Sequence, residues 1–196
     1  MMRTRLLFII FTLWCGVTLG AVGSRTDCGC LQSLPPGNHV VLICPQGDGP
    51  TLAEAGAIIT LTYQDIVKPE RPFSTGGCNG GIVWCGGPLR ADSFTGDNGQ
   101  TTVSGPMAGG GYDTEIVWYL VHLVNQDCMM SYVPLVLVSP DINADLAVDL
   151  VDFSIFAAGF PSPSKPYDPR LDFDGDGSVD IVDFSLFAQH WLHRCS

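Results

Sequence analysis

Asp141–Asp152, DINADLAVDLVD, and Asp172–Asp183, DFDGDGSVDIVD, set the reading of this chain. Each places oxygen-bearing side chains at positions 1, 3, 5, 9 and 12 of a twelve-residue segment. In the first these are Asp141, Asn143, Asp145, Asp149 and Asp152; in the second, Asp172, Asp174, Asp176, Asp180 and Asp183. Each segment runs on into nearly the same apolar stretch, DFSIFAAGF and DFSLFAQHW, and half the residues of 141–160 recur at an offset of 31. A hard cation needs this spacing: calcium takes about six to eight oxygens, and a twelve-residue loop adds the backbone carbonyl of position 7. Here that carbonyl belongs to Ala147 and Ser178. Chance alternation of carboxylates would not repeat its exit segment, so two Ca2+ sites are expected.

The copies differ in a physical way. The second has Gly177 at position 6, where the chain turns through a left-handed conformation cheap only for glycine. The first has Leu146 there, at a cost of about 1–2 kcal/mol if that geometry is kept. The second also carries five carboxylates against four plus Asn143. The site at Asp172–Asp183 is therefore expected to be the tighter. The competing reading of the first copy is a degenerate loop that folds without metal.

The chain opens MMRTR, LLFIIFTLW and then small residues through Gly23. A basic start, a short apolar run and a small-residue exit describe a secretory signal peptide, assigned to 1–23. The expected location is secreted, extracellular or at a cell surface, and no other apolar run is long enough to span a bilayer. Seven cysteines follow it, Cys28, Cys30, Cys44, Cys78, Cys85, Cys128 and Cys195. In an exported chain they read as disulfides rather than a zinc site. Cys78–Cys85 is the favoured local pair and Cys28 or Cys30 a candidate partner for Cys195, with the connectivity open. Seven is odd, which leaves one thiol free or bonded to another chain. Net charge is −11, and a chain this acidic repels phosphate backbones, which excludes nucleic acid.

Residues 24–139 have β texture. HVVLICP, AIITLTY, GIVWC, QTTVSG, EIVWYLVHLV and YVPLVLV are short β-branched and aromatic runs bounded by Gly, Pro, Asn and Asp. In AIITLTY, Ile59, Leu61 and Tyr63 share one face, and Asp97-Asn98-Gly99 supplies a turn. With GDGPTLAEAGAIITLTYQD and TGDNGQTTVSG, this segment resembles bacterial Ig-like modules. The expected fold is mainly β: an Ig-like β-sandwich followed by a small α unit at 140–196.

In that unit, Leu150–Phe160 and Ile181–Leu192 read as amphipathic helices. Phe153, Phe156 and Phe160 form a stripe that Phe184, Phe187 and Trp191 repeat. Prolines before the second loop exclude an entering helix, so each unit is a loop plus exit helix. Two such half-hands with Asp at position 12 resemble the type I dockerin domains of secreted bacterial proteins. The resemblance covers Asp141 to about Leu192. It implies calcium at the residues named above, two antiparallel helices, and docking onto a cohesin-like β-sandwich. Cohesin-binding dockerins commonly carry small hydroxyl residues at positions 10 and 11; here stand Leu150-Val151 and Ile181-Val182. These suit a drier contact with the neighbouring β region of the same chain, which favours a bracing role for the half-hands.

No catalytic motif accompanies the loops: GxSxG, HExxH and a phosphate-binding glycine loop are missing from the sequence. An acid pair of Asp92 with Asp113 or Glu115 is the enzymatic alternative. His122 reads as a packed or edge histidine, and His190 and His193 as solvated residues suited to a helix C-terminus. The expectation is a non-catalytic calcium-binding protein of extracellular assembly or docking, with a cohesin-like or other secreted partner. The alternatives are a glycan-binding accessory of polysaccharide degradation, and a structural protein whose half-hands brace the β region.

Overall fold

The structure, a computed structural model, describes residues 30–63, 73–75, 81–86, 89–94, 96–121, 127–160 and 165–196. Among them run β1 (Cys30–Ser33), β2 (Val40–Leu42), β3 (Ile59–Tyr63), β4 (Phe73–Thr75), β5 (Ile82–Trp84), β6 (Leu89–Arg90), β7 (Gln100–Val103), β8 (Gly109–Asp113), β9 (Ile116–Val121), β10 (Asp127–Val133) and β11 (Val136–Val138). Two helices follow, α1 (Leu150–Gly159) and α2 (Ile181–Gln189). The chain is thus mainly β, as its texture indicates. The expected signal peptide, Cys28, Cys78 and His122 lie outside the described residues.

The strands form three sheets, ordered β1-β3-β7, β10-β9-β4-β6 and β2-β11-β8-β5. The third decides how the two acidic loops are held. Its strands β2 and β11 pair in parallel, Val136 to Val40 and Val138 to Leu42, and are buried on both faces. Successive side chains of a strand point to opposite faces. Accordingly Val41, Ile43 and Leu137 enter one core with Leu52, Ile59, Leu61, Ile116 and Leu135. Leu42 and Val138 enter a second with Ile142, Val148, Phe156, Leu171, Phe173, Val179 and Phe187. The continuous apolar runs VVLI and LVLV are what a two-faced strand requires. Ser139, Pro140 and Asp141, which lead from β11 into the first loop, are all buried.

Both helices start for the same local reason. Asp149 and Asp180 occupy the N-caps, and Asp152 and Asp183 at N3 return a bond to the cap backbone, a reciprocal capping box. Phe156 and Phe187 stack at 5.5 Å between the helices, and Phe173 stacks on Phe156 at 5.7 Å. Phe153, Phe184 and Trp191 stay exposed, so the aromatic stripe is only partly core. The Asp97–Gly99 turn forms as read, with Gly99 at φ 74°.

The cysteine reading needs correction. Cys85 bonds Cys195, with Cα atoms 5.5 Å apart, so neither the local Cys78–Cys85 pair nor a Cys28 or Cys30 bond to Cys195 stands. The tail also pairs with the first loop: Val148 N–H donates to the His193 carbonyl at 2.9 Å, Leu192 N–H to Val148 at 3.0 Å, and Cys195 N–H to Leu146 at 3.0 Å. Among the described residues, no helix is long and apolar enough to cross a membrane.

Candidate metal centre

The two loops share most of their hydrogen bonds. At position 1, the carboxylate of Asp141 accepts from the N–H groups of Asp145 (3.1 Å) and Leu146 (2.8 Å). Asp172 accepts from Asp176 (3.2 Å) and Gly177 (2.9 Å). At position 5, Asp145 accepts from Ala147 N–H (3.0 Å) and Asp176 from Ser178 N–H (2.8 Å). At position 12, Asp152 accepts from Asp149 N–H (2.9 Å) and Asp183 from Asp180 N–H (2.7 Å). The second oxygen of each reaches back to the start of its loop, Asp152 to Asn143 N–H and Asp183 to Phe173 N–H. Position 9 is the helix cap, and position 12 is both loop closure and N3. The same carboxylates that would bind a cation therefore start the exit helix.

In the second loop, Asp172, Asp174 and Asp176 bring carboxylate oxygens within 4.8 Å of one another. Tyr167 Oη donates to Asp172 Oδ2 at 2.6 Å and fixes that side chain from outside the loop. Burial, aided by the neighbouring carboxylates of Asp176, Asp183 and Asp172, holds the Asp174 carboxyl above its usual range. In the first loop, Asp141 and Asp152 are fully buried. Burial pushes the Asp141 carboxyl up to about 6 and raises that of Asp152. Carboxylates crowded and desolvated in this way repel one another. An oxygen-only set of this kind is the donor chemistry calcium prefers. Asn143 completes the first set: its Oδ1 accepts from Asp145 N–H, and its Nδ2 donates to Asp145 Oδ2 at 2.9 Å.

The backbone separates the copies. Positions 4 and 6 are left-handed in both. They are Gly175 (φ 73°) and Gly177 (φ 91°) in the second loop, Ala144 (φ 61°) and Leu146 (φ 68°) in the first. The strain expected at Leu146 is present and is doubled at Ala144. The first loop also leans on the sheet. Gly111 N–H donates to the Asp141 carbonyl at 2.7 Å, and a Cβ at Gly110 would lie 1.7 Å from Asp141 Oδ2. The second loop touches β2 through Gly175, where a Cβ would lie 2.6 Å from a Val40 methyl.

Other sequence readings resolve differently. Asp92 accepts from Thr102 Oγ1 at 2.7 Å and Ser104 N–H at 3.2 Å, a strand-edge role. Asp113 is buried, with Oδ1 taking Thr114 N–H. His190 is not solvated. It is buried at the end of α2 beside His193 and the buried, free Cys44. Cys44 and Asp48 meet His190 and His193 in one cluster, which sequence reasoning missed because the pairs lie at opposite ends of the described chain. No family model matches the chain, nor does any curated protein or solved structure.

Proposed function

We propose that this chain is a secreted, non-catalytic protein in which an Ig-like β-sandwich carries a dockerin-like pair of calcium half-hands for docking a second secreted protein. Calcium supplies the positive charge that draws each set of carboxylates together, and its binding energy then becomes folding energy. The loop residues hold the ion, and Asp149, Asp152, Asp180 and Asp183 couple that grip to the start of each helix.

The observation that carries the docking reading is the surface beside the loops. Leu150 and Val151 are 67% and 52% exposed, and Ile181 and Val182 are 64% and 45% exposed. Among the described residues they belong to neither core. Two equivalent apolar pairs in the first helical turns offer a partner a dry contact ordered by the calcium loops. The experiment is capture of secreted proteins on the immobilised mature chain. The expected result is one partner retained in calcium, released by a chelator, and lost with Leu150→Ser plus Ile181→Ser. Equal retention by that double variant would contradict docking through this surface.

The bracing reading is favoured by the second core, which joins Leu42 and Val138 of the sheet to Phe156, Phe173 and Phe187. The two readings are separable. The double variant leaves calcium affinity unchanged under docking, whereas bracing alone predicts no calcium-dependent partner. For the glycan alternative, Trp84 packs against the first core, so it does not offer a free ring face of the kind a sugar platform needs.

A further inference from the structure

Cys44 lies just past β2, and a tight turn, closed by Gly47 N–H on the Cys44 carbonyl at 2.9 Å, brings Asp48 back over it. From the other end of the chain, His190 caps α2, and His193 N–H donates to its carbonyl at 3.0 Å. The four side chains converge on one point. Cys44 Sγ lies 3.3 Å from His193 Nδ1, and the Nδ1 atoms of His190 and His193 are 3.3 Å apart. Asp48 Oδ1 lies 3.2 Å from His193 Nδ1 and 3.7 Å from His190 Nδ1.

Hydrogen bonding does not account for this arrangement. A ring nitrogen has either one hydrogen or one lone pair in the ring plane, yet His193 Nδ1 faces a sulfur, a nitrogen and a carboxylate oxygen at once. One central ion gives each of the four atoms a single contact. Four of the six separations are 3.2–3.7 Å and all lie within 4.8 Å; a tetrahedron with edges of about 3.3 Å has its corners about 2.0 Å from its centre, the length of a zinc–nitrogen bond. The donors are two imidazoles, a thiol and a carboxylate, a borderline-soft set unlike the oxygen-only calcium loops.

We propose that Cys44, Asp48, His190 and His193 form a tetrahedral zinc site that ties the C-terminal tail to the end of β2. All four corners come from the protein, which makes the site structural rather than catalytic. On binding, the Cys44 thiol gives its proton to solvent and forms the metal–sulfur bond. Both imidazoles bind through Nδ1 and keep their hydrogen on Nε2. The Cys85–Cys195 disulfide holds the tail in place two residues beyond His193, so the ligands are gathered before the ion arrives. Because the His193 carbonyl takes Val148 N–H, zinc also steadies position 8 of the first calcium loop.

The test uses the mature, disulfide-intact chain saturated with calcium, titrated with Co2+ and then Zn2+. The expected result is one equivalent of cobalt giving the intense visible bands of a tetrahedral ion and a sulfur-to-cobalt band in the near ultraviolet. Zinc erases both and raises the melting temperature. Cys44→Ser removes the near-ultraviolet band. His193→Gln and Asp48→Asn weaken cobalt binding by at least the roughly tenfold that loss of even an outer-sphere partner costs. Asp48 is on the exposed side, so Asp48→Asn tests the site even where the buried Cys44→Ser variant does not fold. A pale octahedral spectrum, or one unaltered by His193→Gln and Asp48→Asn, would overturn the proposal. So would zinc binding that disappears only with Asp172→Ala.

Discussion

The two proposed calcium loops share much of a hydrogen-bond plan and differ in backbone and support. Both bury positions 1 and 12, Asp141 and Asp152 in the first and Asp172 and Asp183 in the second. The second has glycines at its left-handed positions, and Asp174, Asp176, Gly177 and Ser178 are exposed to solvent. The first is strained at Ala144 and Leu146, and it leans on Gly110 and Gly111 of β8. A duplicated motif has thus diverged into one copy with a relaxed backbone and one whose strained backbone is held against the sheet. The first copy, which reads as the weaker in sequence, is the one tied most closely to the rest of the molecule.

Asp172→Ala should separate the loops most sharply. It removes a position-1 ligand together with the acceptor for Gly175, Asp176 and Gly177 N–H. Calorimetry should show the tighter calcium site weakened by at least a hundredfold, about 2.7 kcal/mol, with the other retained. Gly110→Ala should do the reverse from a distance. Its Cβ cannot coexist with Asp141 where it lies, and overpacking of about 1–3 kcal/mol should weaken the first site alone by roughly tenfold to a hundredfold. An unchanged first site in Gly110→Ala would show that the loop does not need the sheet.

Leu146→Gly should sharpen the comparison in the opposite sense. Relief of about 1–2 kcal/mol of left-handed strain, less about 0.5–1 kcal/mol of added chain entropy, leaves a few-fold gain in affinity at the first site. The same substitution logic gives nothing at Gly177.

The smallest effect is in the metal-free protein. Burial raises the Asp141 carboxyl from 3.8 to about 6, so between these values the folded state holds more protons than the unfolded. Its contribution is present below the unfolded value and is lost as pH rises through about 6. In chelator, the melting temperature should therefore fall as pH rises from about 4 to 7, and calcium should flatten or reverse that slope. A chelated protein that gains stability over this range would contradict the buried character assigned to Asp141.

The loops, their exit helices and strands such as β3 and β7 are legible because each is written in local spacing. Alternation placed Ile59 and Leu61 in the core, and the stripes through Phe153 and Phe156 and through Phe184 and Phe187 marked both helices. What sequence concealed is long-range. Strand β8, GGGYD, has no β-forming composition in its first three residues. Its glycines are there because Asp141, the Val83 carbonyl and the Gly81 carbonyl approach too closely for a side chain. The Cys85–Cys195 bond spans 110 residues, and the Cys44 cluster joins β2 to the tail. Neither leaves a periodic trace. The Leu150-Val151 and Ile181-Val182 pairs were visible in sequence, but their exposure is seen only in the structure.

The most direct test of the account is calcium calorimetry on the mature chain, residues 24–196, beside its Asp172→Ala and Gly110→Ala variants. The account predicts two sites of unequal affinity, the tighter weakened at least a hundredfold in Asp172→Ala and the weaker weakened roughly tenfold to a hundredfold in Gly110→Ala. A single site that survives both substitutions, or no binding at millimolar calcium, would contradict it.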